Sequence, residues 1–105
     1  MTRRACERIP SSLVVKFHQD NSVCYGIATD ISEKGMCIRS GICLPCDSKF
    51  NLQIPLKNSH LEIPVKVRRV EKTDGFYDTM GVELLKPTKK YLKIVNSFKI
   101  ALKTV

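Results

Sequence analysis

Short apolar runs with a period of two occupy residues 13–84, and after Pro87 the period becomes that of a helix. Leu13, Val15 and Phe17 alternate with Val14, Lys16 and His18; Phe50, Leu52, Ile54 and Leu56 alternate with Asn51 and Gln53. Leu61, Ile63, Val65 and Val67 alternate with Glu62, Pro64, Lys66 and Arg68, and Met80, Val82 and Leu84 make the last such run. Successive side chains of a strand point to opposite faces, so these runs predict half-buried strands. Val23–Thr29 and Met36–Arg39 are more continuously apolar and also read as strands, separated by the polar interruption at residues 30–35. Polar turns are expected at 19–22 and 57–60, a loop at 40–49 and a hairpin turn at Thr73-Asp74-Gly75.

Two details refine this reading. Pro64 has no N–H, which predicts an edge strand or a bulge there. Val70 falls on the opposite parity to Val67, which predicts a bulge near Arg68-Arg69. At the other end of the chain, Arg8-Ile9-Pro10 and two serines read as an irregular arm, because proline disfavours helix at the residue before it. Tyr91, Ile94, Val95, Phe98, Ala101, Leu102 and Val105 share one helical face, with Leu92 and Ile100 outside it. That helix is expected to begin at Pro87 or Thr88.

Five to seven short strands followed by one helix predict an all-β domain with a single helix. We expect one domain over 1–105: an irregular arginine arm at 1–12, a small antiparallel six-stranded β-barrel at 13–85 and a C-terminal helix at 87–105. The pattern alone leaves OB-like and SH3-like barrels open. A chain of 105 residues suffices for one modest core.

The formal net charge is +8, and Lys86, Lys89, Lys90, Lys93, Lys99 and Lys103 at the C-terminal end face no acid in the same segment. Such a balance favours anionic partners. The commonest role of those lysines is a solvated face, ahead of docking an acidic protein; nucleic acid or lipid is least favoured. No run of about 18 apolar residues is present and Met-Thr-Arg-Arg is followed by no apolar stretch, so neither a membrane span nor a secretory signal is expected, and the compartment read from this is the cytoplasm. The five cysteines (Cys6, Cys24, Cys37, Cys43 and Cys46) read as reduced thiols rather than a disulfide framework. Cys43-Leu44-Pro45-Cys46 is a C-x-x-C without a second pair, so no metal site is expected. No paired carboxylates or nucleophile–base pair stands out, and no enzyme is expected.

The chemistry-bearing residues are Arg4 and Arg8, four apart, and Asp30-Ile31-Ser32-Glu33-Lys34-Gly35, which starts 22 positions after Arg8. Each half alone is bland. An N-terminal arginine pair is usually solvated charge, and D-x-S-x-x-G is usually a turn in which the aspartate caps its own backbone. In this order and spacing, R-x-x-x-R followed by D-x-S-x-x-G resembles the ligand signature of the PilZ domain family. The resemblance extends through Met80-Gly81-Val82-Glu83 to the terminal helix. It implies a split barrel and a cyclic di-GMP receptor. In the family the arginine arm, here residues 1–12, is flexible when empty and wraps the ligand beside a turn on the barrel surface. Arg4, Arg8, Asp30, Ser32 and Gly35 match the two motifs, Arg3 resembles the additional arginine of some members, and Arg69 is the accessory candidate for stacking on a base.

The residue types suit that ligand. A guanidinium fork holds a phosphate through two parallel bonds and also fits guanine O6 and N7. A carboxylate accepts from the N1–H and N2–H₂ donors of the opposite edge. Ser32 is expected on the same side of an extended chain as Asp30, and Gly35 is expected to supply a positive φ or a close approach to the ligand. A guanidinium also stacks on a base. The implied role is a receptor that changes conformation and signals to a protein partner, in motility, exopolysaccharide or virulence control, as monomer or homodimer and without a cofactor. The alternatives are a PilZ-like interaction adaptor that binds no nucleotide, and a small basic nucleic-acid-binding barrel, disfavoured because Phe17, Phe50 and Phe98 fit core positions rather than a stacking platform.

Overall fold

The structure is a computed structural model that describes residues 8–103. Six antiparallel strands run β1 (Ile9–Gln19), β2 (Ser22–Ile31), β3 (Gly35–Ser40), β4 (Lys49–Pro55), β5 (His60–Glu71) and β6 (Asp78–Leu84), followed by α1 (Lys89–Lys103). They close into a barrel in the order β1-β2-β3-β6-β5-β4. The closing seam pairs β1 with β4 at Lys16 and Gln53. Closure removes the exposed edges that an open sheet of this length would carry.

The alternating runs do what their period requires. Val15 and Phe17 of β1, Leu52 and Ile54 of β4, Ile63, Val65 and Val67 of β5, and Met80 and Val82 of β6 fill the interior. The Phe17 and Phe50 rings meet at 5.3 Å, tilted. Burying each such side chain stabilises the fold by roughly 1.5–3 kcal/mol. In β2 the run is only half buried: Cys24 and Ala28 face inward, while Val23, Tyr25 and Ile27 lie outside.

Local differences from the sequence reading have identifiable causes. β1 begins at Ile9, four residues before the alternation starts at Leu13. Ile9 is buried opposite Ile31, and one extra residue between Pro10 and Leu13 hides the strand pattern. The Ser11 hydroxyl donates to the Ala28 carbonyl at 2.6 Å and bridges that irregular stretch. Pro64 is on neither an edge nor a bulge. Its carbonyl accepts from Leu85 N at 2.9 Å just beyond the end of β6, so the donor it lacks falls on the last rung. The bulge near Arg68-Arg69 is present, since the register with β6 steps between Val67 and Arg69. The Thr73-Asp74-Gly75 turn is wider than a tight hairpin: β5 stops at Glu71 and β6 starts at Asp78. Thr73 organises it, its amide donating to the Asp78 carboxylate and its hydroxyl to the Tyr77 carbonyl. Pro87 lies outside α1, which Thr88 caps by accepting from Tyr91 N at 3.2 Å. Tyr91 and Val95 are the fully buried members of the helical stripe, and the helix rests against β1.

Candidate functional site

Two irregular strand ends meet at one rim of the barrel. β1 carries its extra residue between Pro10 and Leu13, and β2 carries one between Ala28 and Asp30. Bulges re-aim side chains, and here Arg8 and Asp30 are brought together. Arg8 Nε donates to Asp30 Oδ1 at 3.0 Å, with each side chain only about a third exposed or less (26% and 32%). Bonding through Nε leaves the two terminal guanidinium nitrogens directed elsewhere, and the second carboxylate oxygen remains available as an acceptor. Among the described residues, the side chains of Arg8 and Asp30 make no other hydrogen bond.

The following turn is closed by its serine. The Ser32 hydroxyl accepts from Lys34 N at 3.3 Å and Gly35 N at 3.2 Å, and Ser32 N donates to Gly35 O at 2.9 Å. Asp30 therefore does not cap its own backbone; it belongs to the ion pair, and the capping falls to Ser32. Ser32 is also not displayed beside Asp30 on an extended strand. β2 has ended at Ile31, and Ser32 is buried with its hydroxyl committed to the turn. Gly35 has no positive φ. A Cβ there would stand 2.5 Å from the carbonyl oxygen of Val82, so the approach of β3 to β6 itself requires glycine.

Arg69 reaches the same surface from the far side. The pairing runs Pro10, Asp30, Cys37, Gly81, Arg69 across five adjacent strands. At about 4.8 Å per strand, Asp30 and Arg69 stand roughly 14 Å apart along the barrel wall. The bulge at Arg68 turns both Arg68 and Arg69 outward, and Gly81 lets Arg69 lie flat: a Cβ on Gly81 would be 3.3 Å from Arg69 Cγ and Nε. Arg68 pairs loosely with Glu83 at 3.6 Å and Arg69 with Glu71 at 3.7 Å. Between them lies a cleft of about 320 Å³ lined by Arg8, Ser32, Gly35, Arg69, Gly81 and Glu83 among others. Arg8, Ser32, Gly35 and Arg69 thus line one cleft, and Asp30 joins them through its bond to Arg8. Arg3 and Arg4 lie outside the described residues.

Tyr91 completes the site's support and was visible in the sequence only as a core position. Its hydroxyl donates to Ser32 O at 2.6 Å and also faces Gly35 O at 3.2 Å. Tyrosine, rather than leucine or phenylalanine, on an otherwise apolar stripe was the available signal. Burial pushes the Tyr91 phenol well above the ordinary value of 10.0, opposed in part by the Arg8 charge. The folded state therefore favours the neutral phenol. Its contribution to stability is complete below pH 10 and is lost as pH rises through the folded value. Urea unfolding measured from pH 8 to pH 11 is expected to show stability declining toward the upper end, with a shallower decline in Tyr91→Phe.

Among the described residues, no three His, Cys, Asp or Glu side chains are grouped to hold a metal, and Cys24, Cys37, Cys43 and Cys46 are free thiols. The Cys46 thiol rests against the Arg68 carbonyl at 3.2 Å, and burial raises the Cys43 thiol pKa. Among the described residues, no helix is long and apolar enough to cross a membrane.

Comparison with known proteins agrees with this fold. The family model described as PilZ domain matches residues 2–98. Among solved structures, the PilZ domain of YcgR from Escherichia coli, determined with c-di-GMP, superposes with a TM-score of 0.79 at 14% identity, covering 98% of this chain and 96% of that one. The Bacillus subtilis inhibitor of motility MotI/DgrA gives 0.75 at 17% identity over 99% of this chain, which spans about half (52%) of that protein. The PilZ domain of CeSA from a cellulose-synthesizing bacterium gives 0.61 at 16% identity, with 92% and 98% covered. No curated protein matches the sequence.

Proposed function

The chain belongs to the PilZ domain family, and from that premise we propose that it is a receptor for cyclic di-GMP that signals to a protein partner. The observation that carries this reading is the Arg8–Asp30 pair at 3.0 Å, set at the edge of a cleft that Arg69 lines from the opposite side. A guanine needs donors on one edge and an acceptor on the other, and a phosphate needs a fork. Arg8 supplies the fork and Asp30 the acceptor. Arg4 and Arg3, from the preceding segment, add further cations, and Arg69 stacks on a base. Ser32 and Gly35 shape the turn and line the same cleft. The YcgR domain of like fold is described with c-di-GMP, and MotI/DgrA as an inhibitor of motility. We extend the ligand to this chain, and motility is one process that such a receptor would control.

Calorimetric titration with cyclic di-GMP, using GTP and cyclic GMP as controls, tests the proposal. Saturable binding of cyclic di-GMP alone is expected. Absence of heat and of any spectral change at high ligand concentration would refute it. A second reading is favoured by the outward apolar cluster of Val14, Tyr25, Ile27 and Tyr77: an adaptor that contacts a protein without nucleotide. The same titration separates the two.

A further inference from the structure

We infer that Tyr91 is a positioning residue that ties the ligand-binding turn to α1, so that helix docking and cyclic di-GMP affinity are linked. The inference rests on the ligand reading above but uses a separate set of contacts. The phenol proton of Tyr91 points at the carbonyls of Ser32 and Gly35, at 2.6 and 3.2 Å, and Tyr91 itself is fully buried (0% exposed). Both carbonyls belong to the D-x-S-x-x-G turn, and Gly35 O is also the acceptor for Ser32 N. The contact therefore falls on the hydrogen bond that closes the turn. A second tie lies on the surface, where Lys99 of α1 pairs with Glu33 at 3.6 Å. Lys34 O, between them, accepts from Leu84 N at 2.8 Å and anchors the turn to β6.

The consequence is thermodynamic. A buried carbonyl needs a donor, and α1 supplies it only while docked. When the helix loosens, Ser32 O loses its partner and the turn gains freedom that a ligand must then remove on binding. Conversely, a ligand that orders the turn raises the free energy of undocking α1, because linkage is reciprocal. The turn and the helix are thus joined at two places, the Tyr91 hydroxyl and the Lys99–Glu33 pair.

Hydrogen exchange of the amides and titration of wild type and Tyr91→Phe test this together. The variant keeps the ring and its packing and removes only the donor. In the free protein, Lys34 and Gly35 amides are expected to exchange several-fold faster in Tyr91→Phe, after correction for global stability using the slowest strand amides. Cyclic di-GMP is expected to slow exchange across residues 92–99 of wild type and much less in the variant. Affinity in the variant is expected to fall roughly three- to ten-fold, the scale of one net hydrogen bond. Unchanged turn exchange in the free variant, or helix exchange insensitive to bound ligand in wild type, would overturn the inference. Failure of wild type to bind cyclic di-GMP would instead remove the proposed function, and the latch would still be decided by turn exchange in the free proteins.

Discussion

Gly35→Ala lowers the unfolding free energy by about 3 kcal/mol, the upper end of the range for forcing extra volume into a packed site. For a domain of this size the fall in Tm is on the order of 15 °C. The added methyl would sit 2.5 Å from the Val82 carbonyl oxygen, and that obstacle is backbone, so no rotamer change relieves it. Relief requires β3 and β6 to separate where Met36 pairs with Val82 and the turn begins. Thermal and urea unfolding check the value. Gly75→Ala is the control: its nearest obstacle is the Thr73 hydroxyl at 3.8 Å in an exposed loop, so little change is expected. A Gly35→Ala protein as stable as wild type would show that the glycine is not needed for strand approach.

Arg8→Ala and Asp30→Ala each weaken cyclic di-GMP binding about ten-fold or more, on the scale of roughly 1–3 kcal/mol for losing one bidentate base contact. Stability should scarcely move, because a partly exposed ion pair contributes at most about 1 kcal/mol. Binding and folding are therefore separable in these variants. The double variant should lose less than the sum of the singles, since each residue orients the other through the 3.0 Å contact. Affinity should also decline with added salt, as attraction to an anionic ligand at a part-exposed site is screened. Titration of the four proteins at two salt concentrations measures all three effects. Wild-type affinity in either single variant would remove the assigned roles.

The barrel was legible because alternation leaves few options. Val15, Phe17, Leu52, Ile54, Ile63 and Val65 all point inward as their parity requires. Even the bulge at Arg68 was written in the sequence, as the parity change before Val70. The start of β1 was not, because Pro10 and two serines resemble a loop and their ladder is mended by a side chain, Ser11, that no periodicity encodes. Val23, Tyr25 and Ile27 were read only as part of an apolar run; their outward placement depends on the register with β1 and β3. Of the candidate site, the residue types and their order were visible, and the meeting of Arg8 with Asp30 followed only by family resemblance. Nothing local states that residues 22 apart touch, since that depends on two bulges. Ser32 and Gly35 line the cleft, but their work in closing the turn and in the approach of β3 to β6 was not legible, because a motif records which residues matter, not which way they face. Tyr91 was missed as a site residue because a buried phenol and a buried aliphatic side chain occupy the same helical stripe.

The inserted residue in β5 makes the basic surface sensitive to chain length. Removing Arg68 would restore an uninterrupted two-residue repeat from Leu61 onward. The remaining arginine would then carry one cation to a wall that now displays two, and Val70 would regain the parity of Val67. A single-codon deletion would thus reduce the charge of the cleft while leaving every core side chain of β5 up to Val67 in place, whereas a substitution at the same position would remove the charge and keep the kink.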